Sequence, residues 1–277
     1  MKHHSIHTYR RIIQIGVAIT FIILPLLNQS GFTFIWGNFL NMHIGPLNLT
    51  DPLAVLQVTL KGLYFPPRLL MSAGIILIIA MCFGAIFCSW ICPFGLLSEL
   101  VHGLAKRVLP DSFKKLNFQN SGFKIKIYIL SSGLLFFFLF CTTPVINQIS
   151  MPFWYSQIFQ YLFIQKHVSF AVLFVAVILF TEFISRKRLW CRYICPQSFL
   201  LVIAKLLNPF HLKVGYNKEK CISNKNNNPC QKACSLSLDP RTLGNLLETE
   251  CNNCGDCVAA CKKSGKALNF QFGRHFS

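Results

Sequence analysis

Cys251, Cys254, Cys257 and Cys261 stand at the offsets C-x2-C-x2-C-x3-C. Such a run wraps three thiolates around one iron–sulfur cubane and sends its fourth to a second cluster, so these runs come in pairs. The partner lies upstream in altered form. Cys230 and Cys234 match its last two positions and Cys221 its first, while Asn224 stands where the second cysteine is due. By the crossed-ligand rule, Cys234, Cys251, Cys254 and Cys257 form a complete [4Fe–4S] set. Cys221, Cys230 and Cys261 leave the other site one ligand short, as a three-iron cluster, a four-iron cluster with a non-cysteine ligand, or a vestige. Ser235 and Lys262 replace the proline that usually follows the fourth cysteine. A zinc knuckle would need a second matched pair or histidines at ligand spacing, which the run lacks.

Two further motifs repeat each other: Cys88-Ser89-Trp90-Ile91-Cys92-Pro93 and Cys191-Arg192-Tyr193-Ile194-Cys195-Pro196. Cysteines at i and i+4 are expected on one face of a helix, and the proline after each second cysteine marks a turn. Cys88, Cys92, Cys191 and Cys195, related by the repeat, would present four thiolates to one site, a shell that suits an iron–sulfur cluster or zinc. One shared redox or metal site and two separate thiol pairs both remain open. Cys82 and Cys141 have no cysteine at ligand spacing and read as small apolar core residues.

The elements that carry these motifs are apolar. Runs of hydrophobic residues over 12–28, 69–90, 127–145 and 168–184 approach the ~20 residues that a helix needs to cross a bilayer core. Hydrophobic residues make up 53% of the 277 and charged residues only 13%, against roughly 25% charged in an average soluble domain. A soluble enzyme, a disordered chain and a disulfide-stapled mini-domain are excluded. Lys and Arg number three before the first run, then two, six and one in the connections, and fifteen after the last. That alternation places both termini and the middle connection in the cytoplasm. The net charge of +18 follows these boundaries, so it argues for membrane orientation and not for nucleic acid. Thirteen cysteines in cytoplasmic segments stay reduced and suit metal better than disulfides.

The expected fold is an all-α polytopic membrane protein. Residues 1–207 form four transmembrane helices as two repeated pairs, and residues 208–277 a small ferredoxin-like module. Asp51 and Pro52 open a helix at the outer interface, as N-cap and first residue. Glu99 and Glu182 lie at the cytoplasmic boundary beside the cysteine pairs, as weak candidates to accept protons from a quinol; a solvated carboxylate is the plainer role. A two-fold repeat also suits transporters, but no run shows a broken helix or a mid-span charge.

With four spans, two CxxxCP motifs and the cysteine-rich tail, the whole chain resembles the NapH-type membrane ferredoxins. These are related to the polyferredoxin components of nitrate, nitrous-oxide and methylamine-oxidation systems. Gly37-Asn38, Asp51-Pro52-Leu53 and Leu56-Gln57 add to the likeness. The resemblance implies a multi-pass protein of the bacterial inner membrane that draws on the quinone pool and oxidises quinol. Electrons would pass through iron–sulfur clusters to a NapG-like ferredoxin subunit and on to a periplasmic reductase of the nitrate-reductase kind. It carries the cluster cysteines onto Cys221, Cys230, Cys234, Cys251, Cys254, Cys257 and Cys261, and the paired ones onto Cys88, Cys92, Cys191 and Cys195. The alternative is an assembly factor that supplies electrons or handles metal for a respiratory or methylamine-oxidising enzyme.

Overall fold

The computed structural model describes residues 6–31, 34–39, 41–62, 67–109, 122–140, 146–167, 169–222, 228–241, 250–262 and 265–273. Among them, α1 (Ile6–Gln29) is the one helix that is both long and apolar enough to cross a bilayer core. Its polarity is inverted relative to a soluble helix. Arg10 and Gln14, about one turn apart, are fully buried, while Ile12, Ile15, Ile19 and Ile23 point outward.

Three short strands follow, β1 (Ile35–Asn38), β2 (Asn41–Ile44) and β3 (Leu47–Thr50), as an antiparallel meander with Ile35 opposite Ile44 and Asn41 opposite Thr50. The all-helical expectation omitted this sheet, because four-residue strands are too short for alternation to show. α2 (Pro52–Gly62) begins as anticipated: Pro52 is its first residue and the Leu53 N–H donates to Asp51 Oδ1 at 3.2 Å.

The second apolar run is not one helix. It divides into α3 (Pro67–Phe83) and α4 (Ile86–Trp90) at Gly84, whose φ is +69°. This corrects the expectation of an unbroken span. The Phe83 carbonyl, freed from helical pairing, accepts instead from Asn253 Nδ2 at 3.1 Å, and the same amide donates to Leu212 O at 2.9 Å. α5 (Pro93–Val108) follows directly.

The second half repeats the plan. α6 (Gly122–Phe140) leads to a single tight turn (Ile146–Ile149) and α7 (Met151–Gln160). The last residues of the expected third span, with Cys141, lie outside the described residues. α8 (Phe170–Ser185), a wide helical turn (Trp190–Ile194) and α9 (Pro196–Leu207) then mirror α3, α4 and α5. Ala80 and Ala85 pack against Leu201, Val202 and Ala204, so small residues let α3 and α9 approach closely. Phe94 of α5, Met151 of α7, and Val175 and Ile178 of α8 form a second cluster. Hydropathy alone did not separate α5, α7 and α9 from the loops around them, because each is shorter than a span.

The tail contains β4 (His211–Tyr216), α10 (Pro229–Ala233), α11 (Asp256–Cys261) and β5 (Leu268–Gly273). β4 and β5 pair antiparallel from His211 opposite Gly273 to Tyr216 opposite Leu268.

Candidate functional site

The two CxxxCP motifs share one backbone geometry. The N–H of Cys92 donates to Phe87 O, and that of Cys195 to Trp190 O, both at 2.9 Å across a five-residue turn. Each second cysteine caps the next helix in extended conformation, with ψ 117° at Cys92 before α5 and 113° at Cys195 before α9. The cysteines of a pair therefore do not share one helix face, as expected from i, i+4 spacing. They straddle a helix junction, because the proline pushes its predecessor out of helical backbone. In both motifs the residue three positions on gives its N–H to the second sulfur, Gly95 to Cys92 and Ser198 to Cys195.

Cys88, Cys92, Cys191 and Cys195 ring one cavity, walled by Phe87, Phe94, Met151 and Trp190, with no acidic side chain lining it among the described residues. Two buried cations flank it. Lys126 Nζ donates to Ser198 Oγ, whose hydroxyl donates to the Cys191 carbonyl at 3.1 Å. Arg188, 1% exposed, brings Nη2 to 3.8 Å from Cys191 Sγ. A cluster bound by four thiolates carries net negative charge, and nearby cations are one lever on its potential.

Cys234, Cys251, Cys254 and Cys257 ring a second cavity with Val214, Leu236 and Leu238. Gly255, at φ +81°, turns the chain into α11 between the last two of these cysteines. The Asn253 N–H lies 3.5 Å from Cys251 Sγ, and the Leu238 and Leu236 N–H groups face Cys234. Burial pushes the Cys234 thiol up to about 11 and the Cys257 thiol higher still. Any metal held by Cys234 and Cys257 would therefore have to displace their protons.

Cys221, Cys230 and Cys261 gather in the same apolar cluster as Cys257, packed on Val258, Ala267 and Leu268. The Tyr216 hydroxyl hydrogen-bonds Cys221. Asn224, at the position of the absent cysteine, lies outside the described residues.

Each set brings four thiols around one apolar cavity. Among the described residues, no three Cys, His, Asp or Glu side chains converge closely enough for one metal ion, as tetrahedral zinc requires. A cubane is larger than an ion, and its ligands stand farther apart around an apolar cavity.

The sites are joined through the protein. Ser89 Oγ, next to Cys88, donates to Asn252 O, next to Cys251, at 2.6 Å. Trp90 Nε1 donates to Asn253 O at 3.4 Å. Arg10 bridges Glu99 at 2.9 Å and Asp256 of the tail at 3.0 Å. Arg192 Nε donates to Glu250 Oε2 at 2.6 Å.

Of the two carboxylates singled out in the sequence, Glu99 meets Arg10, Arg11 and Arg188 within 3.2 Å. Such a setting makes it a charge anchor between α1, α5 and the tail. Glu182 accepts from the Ser98 hydroxyl and, at 3.1 Å, from the Trp190 N–H, so it braces the cysteine turn. Lys126 and Arg188 look in the sequence like ordinary boundary charges, and nothing local marks Ser89 or Asn253.

A family description of a 4Fe-4S binding domain matches residues 65–110 and 167–213, the two halves that contain the CxxxCP motifs. YccM of Escherichia coli K12, whose name assigns it to electron transport, is 30% identical over 78% of this chain and 58% of its own length. The methylamine utilization ferredoxin-type protein MauN of Paracoccus denitrificans is 26% identical over 94% of this chain and 77% of its own. The regulatory protein NosR of Stutzerimonas stutzeri is 26% identical over 62% of this chain but only 22% of its own length. The chain thus spans less than two thirds of YccM and a fifth of NosR. No solved structure matches.

Proposed function

Because the chain belongs to the NapH/MauN-like family of ferredoxin-type proteins, we propose that it is a multi-pass membrane subunit that takes electrons from a quinol and hands them to a ferredoxin-type partner. The partner in turn feeds a periplasmic reductase of the nitrate-reductase kind. One observation carries the reading: the turn that bears Cys88 and the loop that bears Cys251 are tied together by the Ser89–Asn252 hydrogen bond, so the two cysteine cavities are neighbours in the fold. A module that only stored metal would have no need of two donor sets so joined.

Iron–sulfur clusters at these sites would supply reversible one-electron transfer. The chain's residues do the rest. Cys88, Cys92, Cys191 and Cys195 hold the first site, and Cys234, Cys251, Cys254 and Cys257 the second. Cys221, Cys230 and Cys261 would hold a third that is one cysteine short, as a three-iron cluster, a four-iron cluster with a non-cysteine ligand, or a vestige. Lys126 and Arg188 supply positive charge, and Phe87, Phe94, Met151 and Trp190 exclude water.

Outward-facing apolar side chains support several membrane crossings. Met71, Ile78 and Ile79 of α3, Leu135, Phe136 and Leu139 of α6, and Leu173, Val177 and Phe180 of α8 are all exposed. Bands of this kind on separate helices are costly in water and natural in lipid. The test is anaerobic: purified protein receives a reduced menaquinol analogue, and EPR follows cluster reduction beside a dithionite control. Reduction by both reagents is expected. Reduction by dithionite alone would overturn the quinol step and favour an assembly factor.

A further inference from the structure

A cavity of about 360 Å³ lies where α1, β1 and α7 meet, within the ~300–1,000 Å³ of typical small-molecule pockets. Phe21, Leu24 and Trp36 give it apolar walls, and Asn38, Ser156 and Gln160 add neutral polar groups. A hydroquinone head needs this combination, a flat apolar slot with hydrogen-bonding groups for two oxygens and no charge to desolvate. A second cavity, of about 300 Å³, is lined by Arg11, Glu99, Lys106 and Asp256 and does not suit an apolar ligand.

The neutral cavity is also connected. Phe21 on its wall lies 4.9 Å, centroid to centroid, from Phe39, and Phe39 lies 5.4 Å from Phe87. Phe87 lines the four-cysteine cavity and immediately precedes Cys88. Both separations are those of aromatic rings in contact, so an unbroken file of three rings joins the two cavities.

We propose that this cavity is where hydroquinone is oxidised, and that Phe21, Phe39 and Phe87 connect it to the acceptor held by Cys88, Cys92, Cys191 and Cys195. The inference rests on the quinol-linked reading above and gives that reaction a place. Two O–H bonds break, the ring becomes quinone, and two electrons leave singly toward the one-electron acceptor at the cysteines. Two protons leave to water at the rim, where Trp36 is half exposed.

The test uses full-length protein in lipid nanodiscs and a photoreactive azido-menaquinone, with labelled peptides mapped by mass spectrometry. Label is expected within residues 21–38 and 156–164, in iron-loaded and metal-stripped protein alike. Trp36→Ala should cut labelling about tenfold, the scale of one lost aromatic contact. Phe39→Leu should keep the label but slow quinol-driven cluster reduction, with dithionite reduction unchanged. Label mapping elsewhere, with quinol-driven reduction intact, overturns this pocket and leaves the proposed function standing. No label anywhere and no quinol-driven reduction, in protein that dithionite still reduces, overturns both.

Discussion

Lys126 and Arg188 approach the four helix-junction cysteines from α6 and from the turn after α8, and both are buried. Arg188 also pairs with Glu99 at 3.2 Å and Glu182 accepts from the neighbouring Trp190 N–H, whereas Lys126 places its positive charge beside Ser198, and its removal should favour the oxidised, less negative state. Lys126→Gln keeps a donor for Ser198 and deletes the charge. The variant should lower the midpoint potential of the junction site by on the order of tens of millivolts and leave the tail site unmoved. An EPR-monitored redox titration reads both together, and an unshifted junction potential would dismiss the electrostatic role. The gathering of the four cysteines around one cavity was legible because the spacing within each motif is local. Lys126 was not, since its partner Ser198 lies 72 residues away and a lysine at the edge of an apolar run looks like any boundary charge.

The α3–α4 junction shows why elements were harder to read than residues. A hydropathy window over 69–90 sees apolar side chains and is blind to a backbone dihedral, so Gly84 passed as one more small residue inside a span. An isolated glycine in a helical pattern is a weak cue, and the amide that makes this break affordable comes from the tail. At φ +69° a Cβ would be strained, and it would lie 2.9 Å from Lys205 Cδ and 3.3 Å from Asn253 Nδ2. Gly84→Ala should therefore cost about 1–3 kcal/mol. Asn253→Ala, which strands the Phe83 and Leu212 carbonyls, should cost about 1–3 kcal/mol as well. Both substitutions act on one junction, so the double variant should lose less than the sum. Thermal unfolding of the four proteins in detergent gives the cycle, and strict additivity would show that helix break and tail are independent. The α2 start was read correctly because Asp51-Pro52 is a short-range signal.

At the scale of the whole molecule, the proposed crossings place the residue 62 boundary outside and the residue 207 boundary in the cytoplasm. Alkaline phosphatase fused after residue 62 should be active, and fused after residue 207 inactive; equal activity at the two points would refute the orientation. The charge alternation in the sequence carries this expectation, whereas the inward reach of α7, whose Met151 touches the cysteine cavity, depends on packing that no charge count reveals. The Asn253 amide has a last consequence, for biosynthesis. It bonds a carbonyl made 170 residues earlier, an interval of roughly ten to thirty seconds at ordinary ribosomal speeds. Until the tail emerges, the nascent chain presents Phe83 O unpaired and the Cys88 turn without its Asn252 neighbour. The segment made late thus pairs the Phe83 carbonyl and braces the turn beside Cys88, so the break between α3 and α4 gains its partners only after translation has passed residue 253. A ribosome stalled short of that point leaves the helix break unbraced, with a backbone carbonyl exposed inside an apolar run.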